Sequence, residues 1–320
     1  MSDANSAERD LAKVPAFVDP INRKPLQSGD DGASLVEPST GNAYPLRNGI
    51  ADLVQPRMAS GGIDPKRFDR PLPQVTEAAL RWTFRAFGGD EMQLRTRVLD
   101  KLELMPDAVV LDNCSGTGAT TRLLQDRLPR GVLCNGDLSM ELVVHAVQRA
   151  AEEDHGSTCR TVWFGANALH LPFADDSFDA VVSIGGFNQF GDAARAIAEM
   201  TRVTRPGGRI AIADEGYAPW LRDTLTGRMV LNDNPLMAHM PPLEHLPEVA
   251  RDVRLEWMLA NAFYCIDFRV GEAPPFVDVD LPHEGLRGGT MRSRYEERNA
   301  ATGHTPADVS RLRANREDAR

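Results

Sequence analysis

Short apolar runs alternate with longer amphipathic segments along most of the chain after residue 108. The short runs have the length of buried strands and cover residues 109–114, 131–137, 161–166, 178–186 and 207–216. Between them, apolar positions recur at helical spacing over residues 119–128, 140–153 and 192–204. Because strands that alternate with helices form βαβ units, this pattern predicts a parallel sheet with helices on both faces.

Further segments complete this α/β domain, which we expect to span residues 76–273. A helical pattern over residues 76–104, interrupted by two glycines, precedes the first strand. Two more strand patterns, at 252–259 and 262–270, bring the predicted doubly wound sheet to seven strands. The Pro-rich, partly helical residues 217–250 are predicted to form a lid-like insertion after the fifth strand.

The two ends of the chain have different patterns. Residues 15–55 contain short extended pieces separated by turn formers, which predicts a small β module. Residues 56–75 are rich in glycine and proline and are predicted to be a linker. Residues 274–320 are loop-like and then charged, so we expect a C-terminal extension that ends in a frayed helix.

Composition and charge narrow the function classes. The 320 residues exceed what one hydrophobic core usually holds, which favours a large domain with a small module. Hydrophobic residues make up 42% and charged residues 26%, as in ordinary globular proteins. The net charge of −10 disfavours nucleic acid as a partner, because binders of phosphate backbones carry clustered lysine and arginine.

Membrane insertion and disulfide chemistry are also disfavoured. No apolar run is long enough to span a bilayer, and the first residues lack the pattern of a signal peptide, so we expect a cytoplasmic protein without a membrane partner. The four cysteines never form a CxxC pair, which favours reduced thiols over a metal site. A small-molecule substrate is therefore expected, and the oligomeric state stays open.

The clearest chemical signal is a glycine-containing turn at residues 112–118. A strand that ends in Asp112 opens through Gly116 and Gly118 into a helix, so a ligand can lie against bare backbone N–H groups. The next strand ends at Asp137, where a carboxylate can accept hydrogen bonds from both hydroxyls of a ribose. Binding of NAD or FAD is disfavoured, because Thr121 occupies the third glycine position of the dinucleotide motif.

Two later motifs complete a family pattern. Leu171, Pro172 and Phe173 precede a Ser-Phe-Asp passage at residues 177–179, and an Arg-Pro-Gly-Gly turn follows at residues 205–208. In this order the four segments resemble class I S-adenosylmethionine-dependent methyltransferases over roughly residues 92–270. The resemblance implies a Rossmann-like sheet that binds S-adenosyl-L-methionine without a metal.

The resemblance also implies residue roles. Asp112 and the turn would hold the methionyl end, Asp137 the ribose, and Asn167 the adenine amino group, while residues 183–188 would lie beside the sulfonium. The implied cofactor-binding residues are Asp112, Cys114, Ser115, Gly116, Gly118, Asp137, Leu138, Asn167, Ala168, Leu169 and Ser183. The candidate catalytic residues are Asn113, Ser183, Asn188, Glu215 and Tyr217.

Three positions depart from the family pattern. Cys114 stands at the first glycine of the turn, which predicts a negative φ there, because a side chain disfavours positive φ. Asn167 replaces the usual aspartate near adenine, and its side-chain oxygen can still accept a hydrogen bond. Asn113 replaces an apolar residue and brings a polar group close to the expected methionyl pocket.

The N-terminal module resembles a Trm112-like zinc ribbon. The four positions of the family's metal-ligating cysteines hold other residues here: Asp19, Asn22, Glu37 and Thr40. This set lacks the thiolates of a tetrahedral structural zinc site, so we expect no zinc. The module is then predicted to be held by a small apolar core and by docking through Phe17, Tyr44 and Ile50.

The functional hypothesis is methyl transfer to a small molecule. The sulfonium of the cofactor is already an activated alkyl donor, so the protein mainly aligns a nucleophile and excludes water. Two alternatives stay open. One is a cyclase in which the methionyl amine attacks its own γ-carbon, forming azetidine-2-carboxylate and methylthioadenosine. The other is a non-catalytic cofactor-binding partner protein.

Overall fold

A computed structural model describes residues 13–54, 73–153, 156–283 and 288–302. Most of the predicted linker and most of the charged C-terminal tail lie outside the described residues. The predicted α/β class is confirmed, because parallel strands alternate with helices from Val109 to Glu215.

Seven strands of the sheet come from the region with alternating segments. They are β5 (Val109–Asn113), β6 (Val132–Asp137), β7 (Arg160–Gly165), β8 (Phe178–Ile184), β9 (Thr204–Glu215), β10 (Ala250–Met258) and β11 (Phe263–Val270). Their spatial order is β7-β6-β5-β8-β9-β11-β10. β5 to β9 run parallel, whereas β11 is antiparallel to both β9 and β10.

The sheet extends beyond these strands at the β7 edge. Four short strands precede the domain: β1 (Gln27–Ser28), β2 (Ser34–Val36), β3 (Ala43–Arg47) and β4 (Ile50–Asp52). β4 pairs in parallel with β7, so the described residues form one continuous sheet of eleven strands. Seven of the eleven strands come from residues 109–270, and the four N-terminal strands extend the same hydrogen-bonded sheet.

Helices lie between the strands. Their bounds are α1 (Pro73–Ala86), α2 (Glu91–Asp100), α3 (Thr121–Arg127), α4 (Met140–Glu152), α5 (Ala193–Val203), α6 (Leu225–Asp233) and α7 (Met291–Thr302). Asp90, Ser139 and Asp192 cap α2, α4 and α5 by accepting a hydrogen bond from a backbone N–H of the first turn. None of the described helices is long and apolar enough to cross a bilayer.

Strand register brings the important strand ends to one edge. Leu111 lies beside both Cys134 and Val181, and Val181 lies beside Ile210. Buried apolar side chains on both faces hold this register, because a shift by one residue would move them out of the core. The carboxyl ends of β5, β6, β8 and β9 therefore meet, and parallel sheets place their ligands at that edge.

The N-terminal module packs directly on the β7 edge. The Phe17 ring lies 5.4 Å from the rings of both Phe164 and Phe173, measured between centroids. The backbone N–H of Leu53 donates to the carbonyl oxygen of Gly165 at 2.8 Å. Tyr44 and Ile50 are buried in or beside the same core.

The predicted lid, residues 217–250, is mostly helical. It contains α6 and three short 3₁₀ turns, at Pro219–Leu221, Pro235–Ala238 and Leu243–His245. Tyr217 and Met237 form a small apolar cluster with Ala262 there. The described residues from 274 onward belong to a separate unit, in which α7 is the described helix and Arg292 pairs with Asp280 at 2.7 Å.

The Glu199 side chain on α5 accepts hydrogen bonds from several of these segments. It is 3% exposed, and it accepts from Arg202 at 2.8 Å and from Arg23 of the N-terminal module at 3.1 Å. Its second oxygen also accepts from the backbone N–H of Leu171 at 2.9 Å. One buried carboxylate therefore links the module, α5 and the segment after β7.

We expect Glu199→Ala to lower the free energy of unfolding by about 3 kcal/mol, because it leaves the mostly buried Arg202 without its buried partner. Asp175→Ala is the matched control: this carboxylate also pairs with Arg202, at 2.8 Å, but it is 66% exposed. Asp175→Ala should lower the free energy of unfolding by less than about 1 kcal/mol. Urea unfolding of both variants makes the comparison, and equal losses would contradict the assignment.

Candidate functional site

A cavity of about 210 Å³ lies at the shared carboxyl edge of the strands. The turns after β5, β6, β7 and β8 line it, together with residues of α1, α2 and α4. Of the residues predicted to bind the cofactor or act in catalysis, the lining contains Asn113, Cys114, Ser115, Gly116, Asp137, Leu138, Asn167 and Ala168. Tertiary folding therefore brings together segments that are more than fifty residues apart in the sequence.

The other predicted site residues lie outside this lining. Asp112 and Ser183 are buried within β5 and β8, and Gly118 and Leu169 are also absent from the described lining. Asn188, Glu215 and Tyr217 belong to neighbouring segments rather than to the cavity wall. Their predicted roles stay predictions.

Asp137 is fixed between two turns. One carboxylate oxygen accepts from Gly116 N at 2.8 Å, and the other accepts from Ser139 N at 2.9 Å. Burial raises the pKa of this carboxyl above its ordinary value, although these N–H groups oppose the shift. Both oxygens keep further lone pairs, so the side chain can still accept hydrogen bonds from a ligand.

Cys114 adopts a conformation opposite to the predicted one. Its φ is +75°, so the turn keeps the left-handed geometry that glycine usually supplies. The Cβ atom is tolerated because Gly186, on the turn after β8, has none: a Cβ at residue 186 would overlap the Cys114 sulfur. Burial and the carboxylates of Asp137 and Asp214 raise the pKa of the thiol, which keeps it protonated.

Asn113 and Ser115 carry polar atoms without a partner among the described residues. Asn113 is 3% exposed and Ser115 is 7% exposed, yet both line the cavity. The unpartnered atoms are Asn113 Nδ2 and Ser115 Oγ. Since buried polar atoms are nearly always hydrogen-bonded, these two are available to a bound ligand.

Asp112 supplies a buried negative charge next to the turn. It is 1% exposed, and its Oδ2 atom has no hydrogen-bond partner in the described part of the chain. Burial raises the pKa of Asp112 to about 7, while the charge of Arg95 lowers it and that of Asp137 adds to the rise. The carboxyl is therefore close to half protonated at neutral pH.

Arg95 is the functional candidate that sequence reasoning missed. This guanidinium on α2 lines the cavity although its residue is only 7% exposed, and it donates to Thr120 Oγ1 at 2.7 Å and Glu91 Oε1 at 2.8 Å. A signal was present in the sequence, because Arg95 occupies the first position of an otherwise apolar i, i+3, i+4 series on α2, with Val98 and Leu99. The remaining lining residues without a predicted role are Leu80, Ala119, Leu142, Ala166, Gln189 and Phe190.

Asn188 anchors the turn after β8. Its backbone N–H donates to Asp214 Oδ2 at 2.7 Å, and its Nδ2 donates to Glu215 O at 2.6 Å. The Tyr264 hydroxyl donates to Asn188 Oδ1 at 2.9 Å. These bonds hold the end of β9 against residues 185–190, several of which line the cavity.

Glu215, Tyr217 and Asn167 also have local partners. Glu215 Oε2 accepts from Asn234 Nδ2 at 2.9 Å, and the Tyr217 ring packs 6.3 Å from the Phe87 ring. Asn167 Oδ1 accepts from Leu169 N at 2.9 Å. The oxygen predicted to face adenine thus shapes its own turn as well.

Comparison with known proteins agrees with this geometry. Residues 111–212 match the family model of a methyltransferase domain. The demethylmenaquinone methyltransferase of Thermus thermophilus is 35% identical over 130 residues, which cover 40% of this chain and 56% of that protein. The ubiquinone/menaquinone biosynthesis C-methyltransferase UbiE of Paracoccus denitrificans is 31% identical over 158 residues, which cover 46% and 62%. The chain spans little more than half the length of these curated relatives.

A solved structure shares the fold. Phosphoethanolamine N-methyltransferase 2 of Haemonchus contortus, in complex with S-adenosyl-L-methionine, superposes with a TM-score of 0.51 at 14% identity, covering 66% of this chain and 60% of that one. Together with the match of residues 111–212 to a methyltransferase domain, this confirms the predicted Rossmann-like methyltransferase fold.

We expect Gly186→Ala to destabilise the protein by about 1–3 kcal/mol, because its Cβ would overlap the Cys114 sulfur. Cys114→Gly should remove most of this penalty in the double variant. Urea unfolding of both single variants and the double variant measures the coupling. Strictly additive effects would show that the two turns do not share this space.

Proposed function

We propose that the protein transfers the methyl group of S-adenosyl-L-methionine to a small-molecule acceptor. One observation carries the proposal: a single cavity joins the Asp137 carboxylate, the glycine turn with the unpartnered polar atoms of Asn113 and Ser115, and the buried guanidinium of Arg95. This set complements a ligand with a ribose, a positively charged centre and an amino-acid end.

Each group has a proposed partner on the cofactor. Asp137 accepts from the ribose hydroxyls, and Leu138 and Ala168 contact the adenine ring beside Asn167. At the other end, Arg95 pairs with the methionyl carboxylate and Asp112 stabilises the ammonium. The unpartnered atoms of Asn113 and Ser115 complete the hydrogen bonds of that end.

The remaining predicted roles follow from position. Cys114, Gly116 and Gly118 shape the turn, and Ser183 and Leu169 support it from behind the lining. Asn188 is proposed as a positioning residue, because all of its observed bonds hold the turn after β8. Glu215 and Tyr217 stay candidates for contact with the acceptor at the end of β9.

The chemistry needs little from the protein beyond alignment. The acceptor's electron pair attacks the methyl carbon, the carbon–sulfur bond breaks, and the sulfur keeps that bond pair as a neutral thioether. Holding donor and acceptor in line makes this displacement effectively unimolecular. The apolar side chains of Ile184 and Phe190 exclude water at the turn after β8.

The names of the curated relatives favour a small organic acceptor, in keeping with a largely apolar cavity wall.

We also propose the finer organisation suggested by the sequence. Residues 15–55 are a Trm112-like module, residues 56–75 a linker and residues 76–273 a seven-stranded methyltransferase domain with a lid at 217–250. Residues 274–320 form an extension.

Binding of the cofactor is the first test. We expect calorimetry to show binding of S-adenosyl-L-methionine and its demethylated product. Asp137→Asn and Arg95→Leu should each weaken it by roughly 10–100-fold, because each loses charge-assisted hydrogen bonds. Arg97→Leu is the matched control, since Arg97 lies on the same helix with a side chain that is 63% exposed. No measurable binding to the unsubstituted protein would overturn the cofactor assignment.

Incubation with the cofactor alone separates methyl transfer from the alternatives. Methyl transfer requires an acceptor, so we expect no turnover without one and methylated product when quinol-like or other small nucleophiles are supplied. Rapid formation of methylthioadenosine without acceptor would instead establish the cyclase. Cofactor binding without turnover on any acceptor would favour the non-catalytic partner.

The buried Asp112 predicts a pH dependence of binding. Its pKa of about 7 in the free protein means that a rise in pH ionises it, and the ionised form attracts the methionyl ammonium. Affinity for S-adenosyl-L-methionine should therefore rise roughly fivefold from pH 6 to pH 7. Asp112→Asn should abolish this slope. Methylthioadenosine, which lacks the amino-acid end, is the control ligand and should bind equally at both values.

A further inference from the structure

Two turns of the N-terminal module have the same construction. We call residues 19–24 the first knuckle and residues 37–42 the second knuckle. Each begins with a buried carboxylate: Asp19 is fully buried and Glu37 is 2% exposed. Burial of two acidic side chains in so small a module requires a compensating set of donors.

The backbones of the two knuckles make matching hydrogen bonds. In each knuckle, the carbonyl of the first residue accepts from the backbone N–H of the fifth residue. The N–H of the first residue donates to the carbonyl of the sixth residue. The fifth residue is left-handed in both, with φ +61° at Arg23 and +74° at Gly41. The four bonds are Arg23 N to Asp19 O at 2.7 Å, Asp19 N to Lys24 O at 2.8 Å, Gly41 N to Glu37 O at 2.9 Å and Glu37 N to Asn42 O at 2.9 Å.

The carboxylates of Asp19 and Glu37 make the same pattern of hydrogen bonds in the two knuckles. Each accepts from the backbone N–H groups two and three residues further on. For Asp19 these donors are Ile21 N at 2.7 Å and Asn22 N at 3.1 Å. For Glu37 they are Ser39 N at 3.0 Å and Thr40 N at 2.8 Å.

Side-chain donors join the two knuckles. Asn22 Nδ2 donates to Glu37 Oε2 at 3.1 Å, from the first knuckle to the second. Asn42 Nδ2 donates to Asp19 Oδ2 at 2.9 Å, in the opposite direction. The Thr40 hydroxyl also donates to Glu37 Oε2, at 2.6 Å. These hydrogen bonds, led by that of Thr40, lower the pKa of Glu37 to about 2.

The first and fourth positions of each knuckle have the spacing of a C-x₂-C zinc pair. They are Asp19, Asn22, Glu37 and Thr40, the positions at which the resemblance to a zinc ribbon implies metal ligands. The side chains present do not fit zinc. Neither thiolate nor imidazole is among them, and Asn22 directs its NH₂ group, a donor, at the Glu37 carboxylate.

We propose that this cluster replaces the structural metal of a zinc ribbon. Asp19 and Glu37 stand in for two thiolates as acceptors of the knuckle N–H groups, and Asn22, Thr40 and Asn42 supply the bonds that bring the knuckles together. The module therefore folds without metal and is insensitive to chelators and thiol oxidants. This inference depends on the assignment of the module and is independent of methyl transfer, so no activity readout is used to test it.

The first experiment compares thermal unfolding of single variants. Glu37→Gln and Asp19→Asn keep the side-chain size and remove acceptor capacity, so each should lower Tm by several degrees. Asp31→Asn is the matched control, because Asp31 also accepts from backbone and hydroxyl in a turn of this module but is exposed. Equal shifts in all three variants, or no shift, would overturn the proposal.

Metal content gives the second measurement. Elemental analysis of the purified full chain should find no stoichiometric metal, and EDTA should leave its Tm unchanged. One tightly held divalent ion per chain would overturn the proposal.

The third experiment restores the thiolates. A full chain carrying D19C, N22C, E37C and T40C should bind one Co²⁺ or Zn²⁺, with the absorption of tetrahedral cobalt thiolate, and its Tm should then fall on chelation. The unsubstituted chain, with its four native cysteines, is the blank. A variant that binds no metal, or that fails to fold even with zinc, would overturn the assignment of these four positions to one former metal site.

Discussion

The structure depends on the register of its parallel strands. β5, β6, β8 and β9 come from separate parts of the chain, and their carboxyl ends meet only because apolar side chains on both faces allow one alignment. The hydrogen bond from Gly116 to Asp137 then ties the glycine turn to the end of the neighbouring strand. The parts of the cavity wall that follow β5, β6 and β8 are placed by this alignment.

Burial gives the site its electrostatic character. Asp112, Asp137 and Asp214 are buried near one another, and burial raises the pKa of each. Arg95 is a buried cation at the cavity, and its charge lowers the pKa of Asp112. A positively charged ligand relieves the repulsion among these carboxylates, so the same burial that costs stability in the free protein favours binding of a cation.

Buried carboxylates that accept backbone N–H groups recur across the molecule. Asp137 closes the turn after β5, Asp214 holds the turn after β8, and Glu199 holds the segment after β7. Asp19 and Glu37 do the same in the N-terminal module. Charge-assisted bonds of this kind are stronger than neutral ones, and they order loops that have little apolar surface of their own.

The N-terminal module and the methyltransferase-like domain share one core and one sheet. β4 adds to the β7 edge, Phe17 packs against both Phe164 and Phe173, and Arg23 donates to Glu199. The segment after β7 that carries Asn167 is therefore supported by the module. The buried apolar residues Tyr44, Ala51 and Leu53 of the module belong to this shared core rather than to a core of its own. The knuckle hydrogen bonds are a second source of order that apolar patterning does not reveal.

The local pattern of apolar, polar and turn-forming residues determined most of the fold. Strand and helix types, the break at two glycines and the carboxyl-end positions of Asp112 and Asp137 followed from periodicity and turn chemistry, because backbone conformation responds to neighbours within a few residues. Tertiary structure alone decided the rest. Arg95 faces the cavity because α2 packs beside the turn after β5, and the sulfur of Cys114, whose φ is positive, fits because Gly186 has no Cβ. The knuckles join through Asn22 and Glu37, fifteen residues apart. Such contacts depend on how distant segments pack, which the spacing of residues along one segment does not specify.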